Sequence, residues 1–323
     1  SAALAQAMRR AAFDIGSGAT KLAVADVAGG HVVRIHFAEE RPVPFAIEWK
    51  KSTDGRLSDA VQAQGMAVLR DLIAICGQHG VEPSCCRAVA TEVFRKAANG
   101  EEFLRNVQAQ LGLEVEVVTQ DVEAELGFRT AVALQDRPAE EVICWDSGGA
   151  SFQITSLDPE GGPLRSWVGN LGSGNSTAML VEAVQGHSFA ERATPNPVAA
   201  SEAEDLVARM RAELKPPAGW LRGAAVTAIG GPNSMFAVAH EAIGAKTFVL
   251  AEVRRALASV IGMSDEAMAS KPFCQGPLRE PPGLIVPKLC LLVAVMEHME
   301  LTEVAFCPSI GSCQGLLISD ERY

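Results

Sequence analysis

Apolar residues run or alternate through 11–18, 21–28 and 31–37, with Gly29-Gly30 between the last two. A period of two predicts a three-strand meander. The period then changes. Val61, Gly65, Val68, Leu69, Leu72 and Cys76 recur at helical spacing, which predicts a helix over 58–79 ended by Gly77 and Gly80. CRAVAT (86–91) reads as a buried strand, and a helix follows Asn99-Gly100 with Phe103, Leu104, Val107 and Leu111 on one face. EVEVVT (114–119) is a strand and DVEAELGFRTAVAL (121–134) a helix. Strand and helix alternate, so the fold class is α/β. Residues 183–219 and 271–287 carry Pro, Gly and charge and read as peripheral loops, with a helix at 201–213.

The segment EVICWDSGGASFQITSLD (141–158) repeats the opening design. Asp14-Ile15-Gly16-Ser17-Gly18-Ala19-Thr20 aligns with Asp146-Ser147-Gly148-Gly149-Ala150-Ser151, and each copy reaches another aspartate twelve positions on, Asp26 and Asp158. The chain reads as two copies of one α/β unit, each led by a hairpin with a bare turn.

Composition narrows the setting. The chain has 323 residues, 48% of them hydrophobic, enough for two domains. Its longest apolar stretch, LCLLVAVM, falls far short of the ~20 residues that cross a bilayer. Met8-Arg9-Arg10 is followed by no apolar run of the secretory kind, and Ser1 in place of an initiator methionine reads as a cloning remnant. Eight cysteines without a C-x-x-C pair read as buried reduced thiols, so a cytoplasmic location is expected. A net charge of -11 argues against nucleic acid as a partner, nothing points to a membrane, and a homodimer stays open.

Glycine turns let a ligand approach the main chain, and successive amides in such turns form anion-binding concavities. Ser17, Thr20 and Ser151 add hydroxyls. An aspartate leading each turn suits a divalent cation or an attacking water between carboxylate and phosphate. G-x-x-x-x-G-K-[ST] is absent, and Lys21 stands where a dinucleotide fingerprint needs its third glycine. A third bare turn, Gly230-Gly231, precedes a helix beginning near Asn233-Ser234, and CPSIGSCQGLL holds a fourth with Gly311 and Gly315. Lys21 and Lys96 read as solvated, and His79, His187, His240 and His298 as surface or capping groups. Without further context Glu123 is a helix-dipole acid and Arg95 a partner for Glu92, whereas Asp146 behind VICW needs a partner.

Six ordered stretches, DIGSGATKL, ATEVFRKAANG, QDVEAELGF, WDSGGASFQI, AIGGPNSMFA and GSCQGLL, resemble the exopolyphosphatase and guanosine-pentaphosphate phosphatase (Ppx/GppA) family in family order. The resemblance implies an actin-like ATPase fold of duplicated domains with an interdomain cleft. Domain I would be 1–122 with 304–323, and domain II 123–303. It implies metal-assisted water attack on the terminal phosphate of inorganic polyphosphate or guanosine pentaphosphate, with Mg2+ or Mn2+. By the same resemblance Glu123, Asp146 and Arg95 are catalytic. Gly16, Ser17, Gly18, Thr20, Gly148, Gly149, Ala150, Ser151, Gly230 and Gly231 bind phosphate, and Asp14, Asp146 and Glu123 hold the metal.

The sequence departs from the family at Gln153, where a glutamate is usual, at Gly18, Ala19 and Val122, and at Ser312-Cys313-Gln314. Glutamine hydrogen-bonds but cannot serve as a base. An impaired hydrolase and a non-hydrolysing sensor of polyphosphate or guanosine tetraphosphate therefore both stay open. A sugar or acetate kinase is a weaker reading, because the second and third stretches are not those of such kinases. A polyanion also requires Arg9, Arg10, Lys21, Arg41, Arg95, Lys96 and Arg129 to gather on one face. Scattered, they favour a short or nucleotide substrate.

Overall fold

A computed structural model describes residues 7–135, 137–188, 191–192, 194–275 and 280–323; Ser1 and parts of the two peripheral stretches lie outside these. The chain forms two compact units, one of residues up to Glu141 with Ser309–Tyr323, the other Val142–Pro308.

The first unit runs β1 (Met8–Ile15), β2 (Ala19–Ala28), β3 (His31–Pro42), α1 (Phe45–Lys51), α2 (Asp59–Gln78), β4 (Cys86–Ala90), α3 (Glu92–Lys96), α4 (Gly100–Leu111), β5 (Val115–Val117) and α5 (Gln120–Ala133). Its sheet has the order β3-β2-β1-β4-β5, antiparallel through the meander and parallel from β1 to β5. The helical period of α2 is honoured: Val61, Gly65, Leu69, Leu72 and Cys76 are buried, and Ser58 caps its start by accepting from the Val61 amide at 3.3 Å. Gly65 is required by contact, since a Cβ there would stand 2.6 Å from the Phe45 ring. Phe45, Phe94 and Phe103 pack as one aromatic cluster, with centroids 4.9–5.8 Å apart.

The second unit repeats the plan. It runs β6 (Ile143–Ser147), β7 (Phe152–Ser156), β8 (Arg165–Gly169), α6 (Ser173–Met179), α7 (Ala200–Glu213), β9 (Ala225–Gly230), α8 (Met235–Ile243), β10 (Thr247–Phe248), α9 (Leu250–Ala258), α10 (Asp265–Ala269), α11 (Ile285–His298) and β11 (Glu303–Pro308). The sheet order β10-β11-β9-β6-β7-β8 contains the first unit's five-strand order, with β10 added at one edge. This duplicated meander-plus-parallel topology is the actin-like fold. The apolar run LCLLVAVM lies within α11, whose residues from Ile285 to Met296 are all buried. No helix among the described residues is long and apolar enough to cross a membrane.

After β11 the chain returns to the first unit with α12 (Cys313–Leu317). A division at 122/123 would cut α5. Instead α5 packs as a whole against α12, with Leu126 and Leu317 in one apolar cluster, so the division falls at 141/142 and 308/309. Gly315 makes that packing close. Its amide donates to Thr130 Oγ1 at 2.8 Å, and a Cβ would stand 2.1 Å from the Leu126 carbonyl oxygen.

Three outcomes follow from these contacts. Gly315→Ala forces backbone apart and is expected to cost about 1–3 kcal/mol in urea unfolding. Gly77→Ala, where a Cβ meets nothing within 4 Å, is expected to add about 0.4–1 kcal/mol. The third outcome concerns acid. Asp26 is gripped by Arg9 Nε at 2.9 Å and by His36 Nε2 at 2.7 Å. The Arg9 hydrogen bond, with His36 adding to it, lowers the Asp26 carboxyl to about 2. A depressed carboxyl stabilises the fold above its unfolded value near 4 and loses that contribution as the pH falls towards 2. Asp26→Asn should therefore flatten the acid limb of a stability-versus-pH curve between those values.

Candidate active site

The parallel strands β1, β4 and β5 end at one edge of the first sheet, with Ile15 beside Ala90 and Ala90 beside Val117. That edge collects the turn after β1, the start of α3 and the start of α5, as open α/β sheets do with their ligand sites. In the turn, the Gly16 amide donates to the Ala19 carbonyl at 2.9 Å. The Ser17 and Gly18 carbonyls accept from the Ala46 and Val43 amides at 2.8 and 3.1 Å. The Ser17 and Gly18 amides have no backbone acceptor among the described residues, and the space above Gly18 is open. Thr20 differs from its expected role. It is wholly buried, and its hydroxyl is shielded from solvent without a partner.

Arg95 and Glu123 come together. Arg95 sits in the last turn of α3 and Glu123 in the first turn of α5, which Thr119 caps by accepting from the Val122 amide. One guanidinium nitrogen lies 3.1 Å from Glu123 Oε2 and the other donates to the Val118 carbonyl at 2.5 Å. The bland partner assigned from sequence, Glu92, is instead paired with Lys96.

Asp14 is 4% exposed, and its Oδ2 accepts from the Ser312 amide at 3.0 Å and pairs with Lys21 Nζ at 3.5 Å. Lys21 is thus not the solvated residue expected. It stands directly across the ladder from Asp14. Gly311, with φ of 53°, closes over the pair: a Cβ there would stand 2.2 Å from Asp14 Oδ2 and 2.7 Å from Lys21 Nζ.

The second unit reproduces the leading bond of the turn. The Gly148 amide donates to the Ser151 carbonyl at 2.9 Å, and the Gly149 carbonyl accepts from the Gly174 amide at 2.8 Å. Asp146 is half-buried on β6, across from Gln153, which takes the position Lys21 holds in the first copy. Gln153 is buried, and its Nε2 lies 3.5 Å from Ser151 Oγ. Asp146 pairs in register with Ile229 on parallel β9, so β9 ends at Gly230 and the chain leaves the sheet at Gly231, beside the Asp146 turn. Ser234 caps α8, as the sequence predicts, and a Cβ on Gly230 would strike it at 2.5 Å.

Sequence reasoning missed several supports. Gly172 lies so close to the second turn that a Cβ would stand 2.3 Å from the Ala150 nitrogen, and Asn175 Nδ2 donates to the Ala150 carbonyl at 2.8 Å. The run GNLGSGNS was the available signal. Lys288, 4% exposed, donates to the Asn233 carbonyl and pairs with buried Glu280. Burial pushes the Cys144 and Cys313 thiols well up, with Asp146 and Asp14 adding to it. Among the described residues no three His, Cys, Asp or Glu side chains gather to hold a metal.

Gly311→Ala adds both a left-handed strain and a collision with the Asp14–Lys21 pair. The expected cost is roughly 2–4 kcal/mol, with amide exchange across 312–317 quickening before the rest of the unit.

Comparison with known proteins agrees with this geometry. The model of the Ppx/GppA phosphatase family matches residues 23–323 and so begins just after the first turn. A Ppx/GppA family member from Aquifex aeolicus is 21% identical over 98% of each chain, with a TM-score of 0.69. An exopolyphosphatase from Cytophaga hutchinsonii is 16% identical over 96% of each chain, with a TM-score of 0.73. At these identities the solved structures establish the fold. No curated protein matches the sequence. The duplicated sheets, the paired Asp-led turns and the matched span together establish that the chain belongs to the Ppx/GppA phosphatase family.

Proposed function

We propose that the chain hydrolyses the terminal phosphoanhydride of a short polyphosphate or of the 5′ end of guanosine pentaphosphate. The observation that carries this reading is the 3.1 Å pairing of Glu123 with Arg95 at the strand ends that also hold the first turn. The amides of Ser17 and Gly18 donate to phosphate oxygens, and the second unit carries a turn of similar build at Gly149 and Ala150. Arg95 exchanges Glu123 for the phosphoryl oxygens, which its planar fork fits. The released Glu123 carboxylate aligns the attacking water and takes its proton. Most of the rate then comes from positioning and charge stabilisation.

A magnesium or manganese ion suits Asp146 and does not suit Asp14. Asp146 is half-buried with the neutral Gln153 opposite, and such ions bind through one or two carboxylates plus substrate oxygens. Asp14 already holds an ammonium and an amide on Oδ2. Held there, such an ion would offset the charge of a phosphate at the second unit's own turn. Short or nucleotide substrates are favoured because Arg9, Arg10, Lys21, Arg41, Arg95, Lys96 and Arg129 each pair with a carboxylate. Arg95 exchanges its partner at the site itself, and the other six would each have to give up a carboxylate to follow a long polyanion. The relatives' names, exopolyphosphatase and Ppx/GppA phosphatase, agree with this substrate class.

Gln153 supports a second reading, a binder that does not hydrolyse, because a neutral amide sits where the family's usual glutamate would supply an acid. Phosphate release from a polyphosphate length series and from guanosine pentaphosphate, with magnesium, separates the two. Wild type is expected to release phosphate, fastest from short chains or the nucleotide, and Glu123→Ala to lose about 10²–10⁴-fold. Unchanged turnover in Glu123→Ala overturns the assignment. Calorimetric binding of guanosine tetraphosphate without any wild-type turnover establishes the binder.

A further inference from the structure

Asp14, Lys21 and Glu40 stand in one cross-strand row: Asp14 is the register partner of Lys21, and Lys21 that of Glu40. Directly opposed residues point to the same face of a sheet. All three are sheltered. Asp14 is 4% exposed and Glu40 5%, and the Lys21 side chain retains 20% of its surface. Glu40 Oε2 is shut off from solvent without a hydrogen-bond partner. Two buried carboxylates on one face demand positive charge. The row supplies it internally, with Lys21 Nζ 3.5 Å from Asp14 Oδ2. The backbone then seals the pair. The Ser312 amide donates to the same oxygen, and Gly311 covers both groups so closely that a Cβ would stand 2.7 Å from Nζ.

We infer that Lys21 is the built-in counter-ion of the first turn, occupying the place of a divalent cation and turning Asp14 from a metal ligand into the anchor of the returning C-terminal segment. The ammonium repels a dication from Asp14, and the Ser312 amide takes lone-pair capacity that a metal would need. The duplicated position in the second unit is the neutral Gln153, so the two copies of the turn differ in the charge set across the ladder from the aspartate. This goes beyond the hydrolase reading, and counting bound ions requires no turnover, so either can fail alone.

The test is Mn2+ binding to the full chain, counted by electron paramagnetic resonance. Asp14→Asn keeps an acceptor for the Ser312 amide, and it is expected to bind as many Mn2+ ions as wild type. Lys21→Met is expected to bind one more, and the extra ion should vanish in Lys21→Met/Asp14→Asn. Lys21→Arg, which keeps the charge, should match wild type. A lost ion in Asp14→Asn overturns the inference, and so does a folded Lys21→Met that gains none. If Lys21→Met does not fold, the wild-type and Asp14→Asn counts decide it, equal counts supporting and unequal counts refuting.

Discussion

A carboxylate as buried as Asp14 requires polar partners, and much of the first unit's architecture follows from where those partners come from. Lys21 comes from the next strand, at no cost in chain closure. The Ser312 amide comes from nearly 300 residues downstream and requires the chain to leave for a whole second unit and return. Once it has returned, Gly315 lets α12 lie against α5, and α5 begins with the turn that presents Glu123 to Arg95. The anchoring aspartate and the candidate base are therefore linked through one sequence of backbone contacts. Loosening of α12 would disturb both.

Duplication explains which parts of the two turns are shared and which diverge. The bond from the leading glycine amide to the carbonyl three residues on is 2.9 Å in both copies. That bond is backbone geometry, and any small residues that permit it will do, which is why Gly-Ser-Gly-Ala and Gly-Gly-Ala-Ser reach one shape. The position seven residues past each aspartate is free of that constraint. It faces the aspartate across the ladder and sets the charge beside it, lysine in one copy and glutamine in the other.

Much of this was legible in the sequence, for physical reasons that can be named. α2 and α4 announce themselves because each has one wet and one dry face, so polarity alternates at the period of the element, whereas β1 and β2 are buried on both faces and read as strands from their short apolar runs between turns. α11 does not, because it is dry all round and its run of apolar residues has no phase to read. The turns were visible as runs of small residues between apolar strands. The domain boundary was not, since α5 carries no mark of which neighbour it will pack on until α12 arrives. The pairing of Lys21 with Asp14 depends on β-ladder register and on a glycine close to the C-terminus. The register is local to the hairpin but the cover is not, so without Gly311 a lysine following a glycine turn reads as solvated.

The charges of the site make a final point about its chemistry. Arg95 holds Glu123, Lys21 holds Asp14, and Lys96 holds Glu92, so each cation near the first turn is already matched to an acid. Such pairs stabilise little at a surface, but they cost much to break when buried, because the remaining charge is left without a partner. Arg95 is more readily exchanged than Lys21, since its second nitrogen remains on the Val118 carbonyl when the first moves. Lys21 is closely covered by Gly311. A phosphate entering this unit would therefore recruit Arg95 and leave Lys21 in place. Under the proposed reading, the same step would part Glu123 from Arg95, so that binding phosphate and exposing the candidate base to water would be one event.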